Sequence, residues 1–249
     1  MAGRDEMSTS FGRVAGVYEA GRPEYPAEAV AWMLQPVASH EHVVRVADVG
    51  AGTGKLTRAL VRTGAEVVAI DPDPAMLEAL RDAVPGVPTF VGTGERLPLP
   101  DAGLDAVVFG QAWHWVDPAA ASAEVGRTLR AGGVLGLIWN VRDESVDWVA
   151  CMTAIMHGSS AEVMLAEGAP PVEAPFGDVE EHVSRWKRTM TREDLFAMAR
   201  SRSYLITATD SHRNDVERRL GELFDELGAV DDRAISLPYV TRAFRAIRP

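Results

Sequence analysis

Three glycines stand at alternate positions in one short segment, directly after an apolar run and before a segment with a helical pattern. The segment reads Asp48-Val49-Gly50-Ala51-Gly52-Thr53-Gly54. Glycines in such a place allow the chain to turn tightly and let its backbone approach a ligand closely. The pattern therefore predicts a ligand-binding loop, although a strand-to-helix turn that binds nothing is the plainer alternative.

The spacing of these glycines separates the classes of nucleotide site. A triphosphate-binding P-loop has the pattern G-x-x-x-x-G-K-S/T, but counting back from Gly54-Lys55 puts Val49 at its first glycine, and Leu56 replaces the hydroxyl residue. A dinucleotide loop has the pattern G-x-G-x-x-G, and here the third glycine comes one residue early. The loop is therefore not a P-loop, and a dinucleotide ligand is disfavoured.

Two acids near the loop indicate the charge of the ligand. Asp71 follows the second predicted strand, where a carboxylate can accept hydrogen bonds from both ribose hydroxyls of a nucleoside. The same residue could instead cap the next helix, or do both. Asp48 precedes the glycines, where it would repel a pyrophosphate but not a cation. Together the two acids favour an adenosine-containing ligand that carries a positive charge.

A second segment that could do chemistry follows the fourth predicted strand. It reads Gln111-Ala112-Trp113-His114-Trp115, and open α/β sheets bind their ligands beyond the carboxyl ends of the strands. His114 is a candidate general base near pH 7, a residue that lines the site without moving a proton, or a packing residue. Trp113 and Trp115 either pack in the core or place one ring against a cationic ligand.

Aromatic residues and an arginine precede the sheet, at Tyr18, Arg22 and Tyr25. Pro23 comes after Arg22 and Pro26 after Tyr25, which indicates a bend between two helices. The bend is either a surface turn or a cover over the ligand.

These segments together resemble the successive motifs of the class I S-adenosylmethionine-dependent methyltransferases. The motifs are Asp48 to Gly54, Asp71-Pro72, Gly94-Glu95-Arg96-Leu97-Pro98 and Leu129-Arg130-Ala131-Gly132-Gly133. Within that superfamily the chain resembles the type 11 methyltransferases and the small-molecule branch that includes trans-aconitate methyltransferase-like proteins. This closer likeness rests on Tyr18 with Arg22-Pro23-x-Tyr25-Pro26, on Gln111 to Trp115 and on Trp139-Asn140-x-Arg142-Asp143. The resemblance covers roughly residues 10–145 well and the remainder loosely.

The resemblance implies an enzyme with S-adenosylmethionine as its cofactor. The implied reaction is methyl transfer by in-line displacement to a small-molecule acceptor, on a carboxylate or hydroxyl oxygen, with His114 as the catalytic candidate. The implied cofactor-binding residues are Tyr18, Arg22, Asp48, Gly50, Ala51, Gly52, Thr53, Asp71, Pro72, Met76, Thr93, Gly94, Glu95 and Gln111.

The implied contacts divide the cofactor among the motifs. Backbone from Gly50 to Thr53 would approach the methionine part, Arg22 would pair with the cofactor carboxylate, and Asp71 would hold the ribose. Pro72 and Met76 would line the adenine, whose edge would face Thr93-Gly94-Glu95. Similar proteins often carry an acid at the position of Thr93, which here accepts only through its hydroxyl. Glu95 either touches the ligand or is structural.

The motifs lie between apolar runs that predict strands and periodic segments that predict helices, and these elements position them. Strands are predicted at Val43–Val49, Glu66–Ile70, Val87–Val91, Leu104–Phe109, Val134–Trp139, His182–Met190 and Ile235–Ile247, the last as one strand or two short ones. Helices are predicted over residues 10–20, 26–38, 56–64, 74–84, 117–129, 192–202 and 215–227. Such alternation indicates a parallel sheet covered on both faces. With the resemblance, the expected α/β fold is a Rossmann-like, doubly wound, seven-stranded sheet, mostly parallel with an antiparallel last strand, plus an N-terminal helical cover.

The chain is predicted to be one methyltransferase domain over residues 1–249. Its parts are the N-terminal helical cover (1–40), the cofactor-binding core (43–140), a variable insertion that shapes the acceptor pocket (141–182) and the completion of the sheet (183–249). Loops on a rigid scaffold often set specificity. Four apolar residues of the insertion either line that pocket or belong to the core, namely Trp148, Met152, Met156 and Phe176. Possible partners for an acidic acceptor are Arg142, Arg200 and Arg202.

Composition and charge narrow the range of partners. The 249 residues carry a formal net charge of −11, so no nucleic-acid partner is expected, because phosphate binding normally needs a basic face. The single cysteine excludes an internal disulfide, and the six histidines are scattered, so no metal site is expected. No apolar run reaches the roughly 18 residues of a spanning helix, and no secretory signal is visible, so we expect a cytoplasmic protein without a membrane partner. The oligomeric state is left open.

Two other functions compete with methyl transfer. A nicotinamide-dependent oxidoreductase would show the dinucleotide glycine pattern and a catalytic Tyr-x-x-x-Lys pair, and the sequence contains neither. A protein that binds S-adenosylmethionine without catalysing transfer would carry the same binding motifs. The sequence alone therefore leaves the second alternative open.

Overall fold

In the computed structural model of the chain, seven strands form a single mixed sheet. The strands are β1 (Arg45–Val49), β2 (Glu66–Asp71), β3 (Thr89–Val91), β4 (Leu104–Gly110), β5 (Leu129–Arg142), β6 (Glu180–Met190) and β7 (Ile235–Ile247), in the spatial order β3-β2-β1-β4-β5-β7-β6. The structure describes residues 23–39, 41–156, 158, 160–201, 205, 208–230 and 233–249. β1 to β5 run parallel, and β7 is antiparallel to both of its neighbours. The predicted Rossmann-like sheet with an antiparallel last strand is confirmed.

The strand bounds differ from the predicted ones for physical reasons. β5 continues to Arg142, past the predicted end at Trp139, because β7 pairs with it as far as that residue. β3 begins at Thr89 rather than Val87, since Pro88 has no N–H to donate to a ladder. β7 is one strand rather than two, because it pairs with β5 on one side and β6 on the other.

Helices cover both faces of the sheet, and four of those described begin at a side-chain cap. They are α1 (Ala27–Leu34), α2 (Lys55–Val61), α3 (Pro74–Ala83), α4 (Pro118–Thr128), α5 (Asp147–Met156), α6 (Ser160–Ala166), α7 (Arg192–Arg200) and α8 (Asp210–Glu226). Asp73 and Asp117 cap α3 and α4, each followed by a proline at the first helical position. α8 begins earlier than predicted, since the Thr209 hydroxyl accepts from the His212 N–H. Among the described residues, no helix is long and apolar enough to cross a membrane.

The N-terminal part is described only in its second half. The helix predicted over residues 10–20 lies outside the described residues. The one predicted over 26–38 is confirmed as α1, which passes into a 3-10 turn at Gln35–Val37. α1 packs on the sheet through Val30 and Met33, which are fully buried.

Apolar side chains alternate between the two faces of the sheet and fill separate clusters. Val46 and Ile138 face α1 and α2, while Phe109 and Trp139 face the opposite side. A third cluster joins α5 to α7 and α8, and it buries Met152, Met156 and Phe224 completely. Phe176 is 8% exposed and belongs to the cluster of Phe109. Met152, Met156 and Phe176 are therefore core residues rather than the lining of an open apolar pocket.

Candidate functional site

The carboxyl ends of β1, β2 and β4 meet at one edge of the sheet. The chain order of the strands reverses between β1 and β4, which is the place where open α/β sheets bind ligands. A cleft at this edge is lined by Pro23, Tyr25, Asp48, Gly50, Ala51, Gly52, Thr53, Lys55, Leu56, Gly110 and Gln111. Six of the predicted site residues are thus brought together, namely Asp48, Gly50, Ala51, Gly52, Thr53 and Gln111.

The glycine loop wraps tightly over the end of β2. The Gly50 N–H donates to the carbonyl oxygen of Ile70 at 2.8 Å, and Gly50 has a φ of +68°. A Cβ at Gly50 would lie 2.5 Å from the Cβ of Ala112, so the turn needs glycine for space as well as conformation. Gly52 has a φ of +55°, but a Cβ there would meet nothing within 4 Å. The loop therefore presents bare backbone toward open space in the cleft.

Asp71 holds the loop in place from below. Its Oδ2 accepts the Gly52 N–H at 2.8 Å, and its Oδ1 accepts the Asp73 N–H at 2.9 Å. Burial raises the pKa of the Asp71 carboxyl, although these two backbone amides act against the rise. The helix cap considered for Asp71 is supplied by Asp73 instead. Each carboxylate oxygen keeps a second lone pair, so the ribose contact of Asp71 stays a prediction.

Asp48 is a fully buried acid beside the loop. Its Oδ2 accepts from the Thr57 hydroxyl at 2.6 Å. Among the described residues, its Oδ1 has no hydrogen-bond partner, and the residue lines the cleft. A buried, unpartnered acceptor is costly, so the position favours a ligand that brings a donor or a positive charge.

The stability of the protein should depend on pH through Asp48. Burial raises the pKa of this carboxyl from its ordinary value of 3.8 to about 7, although the hydrogen bond from Thr57 opposes the rise. Between these two values the folded protein holds a proton that the unfolded chain has released, so the free energy of unfolding should fall as pH rises. The stabilisation by the proton on Asp48 should be fully present below about pH 4 and lost as pH rises through about 7. The free energy of unfolding should change by about 4 kcal/mol over this range.

Urea unfolding of the ligand-free protein at a series of pH values measures this change. The Asp48→Asn variant mimics the protonated side chain and should show a much flatter dependence than wild type over the same range. Equal slopes for the two proteins would contradict the assignment of the titration to Asp48.

Gln111 closes the wall of the cleft above β4. It has a φ of +58°, which is unusual for a residue other than glycine. Its N–H donates to the carbonyl oxygen of Ile138, and its Nε2 donates to that of Asn140, both at 2.9 Å. Both bonds go to β5, so the strained residue is fixed to the neighbouring strand. Such strain is found preferentially at ligand sites.

The predicted adenine-side residues lie apart from the cleft lining. They are Pro72, Met76, Thr93, Gly94 and Glu95. Met76 is 3% exposed, and Glu95 Oε1 accepts the Asp117 N–H at 2.9 Å. Glu95 therefore makes a structural hydrogen bond at the start of α4, which agrees with the structural role considered for it as an alternative to ligand contact. Thr93 is exposed, and its adenine contact stays a prediction.

His114 lies on a 3-10 turn that spans Trp113–Trp115, directly beyond β4. It is half-buried, and its ring is 4.8 Å from that of Trp115. Trp113 is 1% exposed and packs edge-on against Phe109 at 4.8 Å. Its Nε1 donates to the carbonyl oxygen of Pro171 at 2.8 Å. Trp113 is thus a core residue that ties the turn to the insertion, and the role of His114 stays a prediction.

The cleft contains residues that the sequence did not predict, and some predicted residues lie outside the described part of the chain. Tyr18 and Arg22 are outside the described residues. Pro23, Lys55, Leu56 and Gly110 line the cleft without having been predicted to do so. Lys55 follows the third glycine directly, and this position was the only signal in the sequence that could have placed it in the site. The sequence analysis used that position only to exclude a P-loop. Tyr25, considered for the cover, does line the cleft.

Comparison with known proteins gives clear relatives. The methyltransferase-domain family model matches residues 47–137, from β1 into β5. An uncharacterized methyltransferase of Mycobacterium tuberculosis is 45% identical over 244 residues, which cover 98% of this chain and 97% of the relative. A malonyl-acyl-carrier protein O-methyltransferase of Serratia marcescens is 32% identical over 133 residues, which cover 53% of this chain and 51% of that protein.

Solved structures share the fold. A candidate type II methyltransferase of Anaeromyxobacter dehalogenans has a TM-score of 0.66 at 24% identity and covers 91% of this chain and 97% of that one. Phosphoethanolamine N-methyltransferase 2 of Haemonchus contortus, solved with S-adenosyl-L-methionine, has a TM-score of 0.54 at 15% identity. The match covers 100% of this chain and 60% of that one. At these identities the likeness concerns the fold alone.

Proposed function

The chain belongs to the class I S-adenosylmethionine-dependent methyltransferases, and we propose that it transfers the methyl group of S-adenosylmethionine to an oxygen atom of a small-molecule acceptor. The proposed binding site is the cleft at the carboxyl ends of β1 and β4. Enzymatic methyl transfer follows from the family, so the alternative of a non-catalytic binding protein is set aside. What remains proposed is the place of the cofactor, the kind of acceptor and the accepting atom.

The buried acid beside the glycine loop, one oxygen of which lacks a hydrogen bond among the described residues, carries this proposal. Asp48 Oδ1 is buried without a hydrogen-bond partner among the described residues, and the residue lines the same cleft as Gly52. A phosphate-bearing cofactor would meet this acid with like charge, whereas the amino group of S-adenosylmethionine would meet it with opposite charge. The bare backbone at Gly52 leaves room for close approach. The residues present therefore fit S-adenosylmethionine better than a dinucleotide.

The chain contributes placement and exclusion of water to the reaction. When bound, S-adenosylmethionine supplies a methyl group that is already activated by its sulfonium sulfur. An acceptor oxygen would take this methyl group as the sulfur leaves with the electron pair of the carbon–sulfur bond, and the residues of the cleft would align the two reactants. Asp48 and the backbone of Gly50 to Thr53 would hold the cofactor. Gln111, which is hydrogen-bonded to β5, would line the opposite side of the cleft. In-line displacement depends mainly on such alignment.

Charge and relatives support the acceptor class. A net charge of −11 favours a small molecule over nucleic acid. The relative from Serratia marcescens, at 32% identity, is named an O-methyltransferase, whereas the N-methyltransferase of Haemonchus contortus shares only the fold at 15% identity. The relative that is named an O-methyltransferase covers 53% of this chain and supports oxygen as the accepting atom.

Calorimetry with defined ligands tests the cofactor. S-adenosylhomocysteine should bind with a dissociation constant on the order of micromolar or tighter and should raise the melting temperature, since a ligand that binds only the native state stabilises it. NAD and NADP should do neither. At a pH above the raised pKa of Asp48, where its carboxyl is ionised, Asp48→Asn should weaken S-adenosylhomocysteine binding at least about tenfold, because the charged acceptor is lost. A preference for NAD over S-adenosylhomocysteine would overturn the proposal.

Replacement of His114 distinguishes the two kinds of oxygen. An ionised carboxylate needs no base, so for such an acceptor His114→Ala should lower kcat by no more than about tenfold. We expect this result, because His114 is the one titratable residue between Gln111 and Trp115, so this segment supplies no acid to orient a histidine base. The measurement is the pH–rate profile of wild type and variant, with His212→Ala on α8, an exposed histidine, as the matched control. A loss of about 10²–10⁴ together with the disappearance of one titration from the pH–rate profile would instead indicate a hydroxyl acceptor and a histidine base.

A further inference from the structure

β6, the last strand on one side of the sheet, has an open outer edge. It pairs with β7 along its whole length, and no strand of the described residues pairs with its other side. Every second residue of such a strand points its N–H and C=O away from β7. An edge strand of 11 residues is long, because strands usually have about five or six. A long open edge can pair with another chain.

Two common protections of an edge strand are missing from β6. It contains no proline, and its register against β7 runs without a bulge from Glu180 to Met190. The protection that remains is charge, because like charges keep two edges apart. Whether charge protects this edge depends on the order of the acids and bases along it.

The charges of β6 have opposite signs on the two sides of Ser184. Glu180 and Glu181 come before Ser184, and Lys187 and Arg188 come after it at the same distances along the chain. Two copies of β6 can lie antiparallel about a two-fold axis at Ser184. Glu181 is then opposite Lys187 of the second copy, and Glu180 is opposite Arg188. Each acid meets a base, and the symmetry repeats each pair.

Neighbouring registers lose this match. An axis at Arg185 sets that residue opposite its own copy and Val183 opposite Lys187, and it pairs no acid of β6 with a base. An axis at Val183 keeps one kind of acid–base pair within the strand, between Glu181 and Arg185. Opposite charges across two strands are stabilising, and like charges are destabilising. The charges of β6 therefore favour self-pairing about Ser184 over the neighbouring registers.

One face of this edge is exposed and can carry such pairs. β6 is exposed at every odd position from 181 to 189. The Arg185 side chain is 72% exposed, and Val183 is 42% exposed. In the register about Ser184, Val183 lies opposite Arg185 of the second copy. The apolar stem of the arginine would then cover an exposed valine.

The acids of β6 already have partners on β7, and these partners leave room for a second cation. Glu181 Oε1 accepts from Arg242 Nε at 2.5 Å, and Glu180 Oε2 accepts from Arg245 Nε and Nη2. In each carboxylate these bonds use one of the two oxygens, and an ionised carboxylate can accept about four hydrogen bonds. The bonds to β7 thus hold the two acids in place and leave each an oxygen for a base from outside.

We propose that the outer edge of β6 is an interface for a second copy of this chain, paired antiparallel about Ser184. Two seven-stranded sheets then form one sheet of fourteen strands. The partner is a second copy rather than a different protein, because the charge order of β6 is complementary to itself. The opposing explanation is an edge whose charges keep every other strand away, and it predicts a monomer. This inference does not depend on the proposed methyl transfer.

Sedimentation of the full chain at a series of concentrations tests the interface. One copy has a mass of 26.9 kDa, and we expect a dimer of twice that mass with a dissociation constant on the order of micromolar. Lys187→Glu and Glu181→Lys each set like charges opposite each other in two places. Each variant should therefore weaken self-association about 30-fold. Arg62→Glu, which reverses an exposed charge at the end of α2, is the matched control and should have no effect.

A mixture of the two charge-reversed chains separates a broken interface from a damaged fold. In a mixed dimer of Lys187→Glu with Glu181→Lys, every like-charge pair becomes an acid–base pair again. The mixture should therefore associate within about threefold of the wild-type affinity. Mixing cannot restore a damaged fold, and circular dichroism of each variant shows beforehand that it is folded.

Engineered cysteines test the register without changing the ion pairs. In a Cys151→Ser background, Val183→Cys chains are mixed with Arg185→Cys chains and oxidised. Directly opposite residues have Cα atoms about 4.5–5.5 Å apart, which a disulfide can bridge, so the mixture should give a covalent dimer. Val183→Cys alone sets its cysteines at diagonal positions about 7–8 Å apart, so it should cross-link poorly.

Four results would contradict the inference. Wild type would stay monomeric at about 100 micromolar, or the dimer would tolerate both charge reversals as well as it tolerates Arg62→Glu. The two folded, charge-reversed chains would fail to associate when mixed, or Val183→Cys alone would cross-link as well as the mixture does. None of these results bears on methyl transfer, which is tested separately by cofactor binding.

Discussion

The Asp71→Ala protein should bind S-adenosylhomocysteine about a hundredfold more weakly than wild type. Asp71 accepts the Gly52 N–H of the loop and the Asp73 N–H before α3, and it is the predicted acceptor for the ribose hydroxyls. A hydrogen bond to a charged group contributes about 1.5–3 kcal/mol, which is about ten- to a hundredfold or more in binding. The alanine variant loses the ribose contact and also releases the loop that forms the cleft.

The same substitution should lower the free energy of unfolding by about 2–4 kcal/mol, because two backbone amides, one buried and one partly buried, lose their acceptor. Binding must therefore be measured by calorimetry at a temperature where circular dichroism shows the variant to be folded. Asp82→Ala, at an exposed position of α3, is the matched control and should leave both quantities unchanged. A dissociation constant of the folded Asp71→Ala protein within about threefold of wild type would remove Asp71 from the cofactor site.

Trp113→Ala should destabilise the protein by about 3–5 kcal/mol, the range for removing a large aromatic side chain from a core. Trp113 is 1% exposed and contacts Phe109 edge-on. It also donates to the carbonyl oxygen of Pro171 in the insertion. The substitution therefore opens a cavity beside β4 and detaches the insertion from the turn that carries His114.

Urea unfolding at neutral pH measures this loss, with two comparisons. Trp113→Phe keeps most of the ring and should cost less, since it chiefly loses the bond to Pro171, about 0.5–1.5 kcal/mol. Trp115→Ala removes the neighbouring, half-buried indole and should cost less than Trp113→Ala. Midpoints that coincide for Trp113→Ala and wild type would show that the ring does not support the core.

The order of the sheet could be predicted where local signals were strong. Apolar runs such as Glu66–Ile70 and Leu104–Phe109 gave β2 and β4 to within one residue, because strands buried on both faces are continuously apolar. The full length of β5 and the continuity of β7 could not be predicted, since both result from pairing between segments far apart in the chain. The start of α8 depended on one cap at Thr209.

The site could be predicted in its glycine half and less well elsewhere. Asp48 and the backbone around Gly52 were found because conformation and charge act locally there. The bond from the Asp117 N–H to Glu95 was not visible in the sequence, since it joins a loop to a distant helix start. Arg142 looked like one of three possible surface arginines, and only its burial against Thr153 and Glu162 distinguishes it.

The position of β7 between β5 and β6 constrains the order in which the molecule can be completed during synthesis. β6 leaves the ribosome before β7, yet β7 is the strand that joins it to the rest of the sheet. Until β7 has emerged, β6 has no strand of the sheet to pair with, and the edge of β5 stays open. Antiparallel pairing on both sides then closes two ladders with one strand. The sheet therefore cannot be finished strand by strand in chain order, because β6 needs β7 before it can join the sheet.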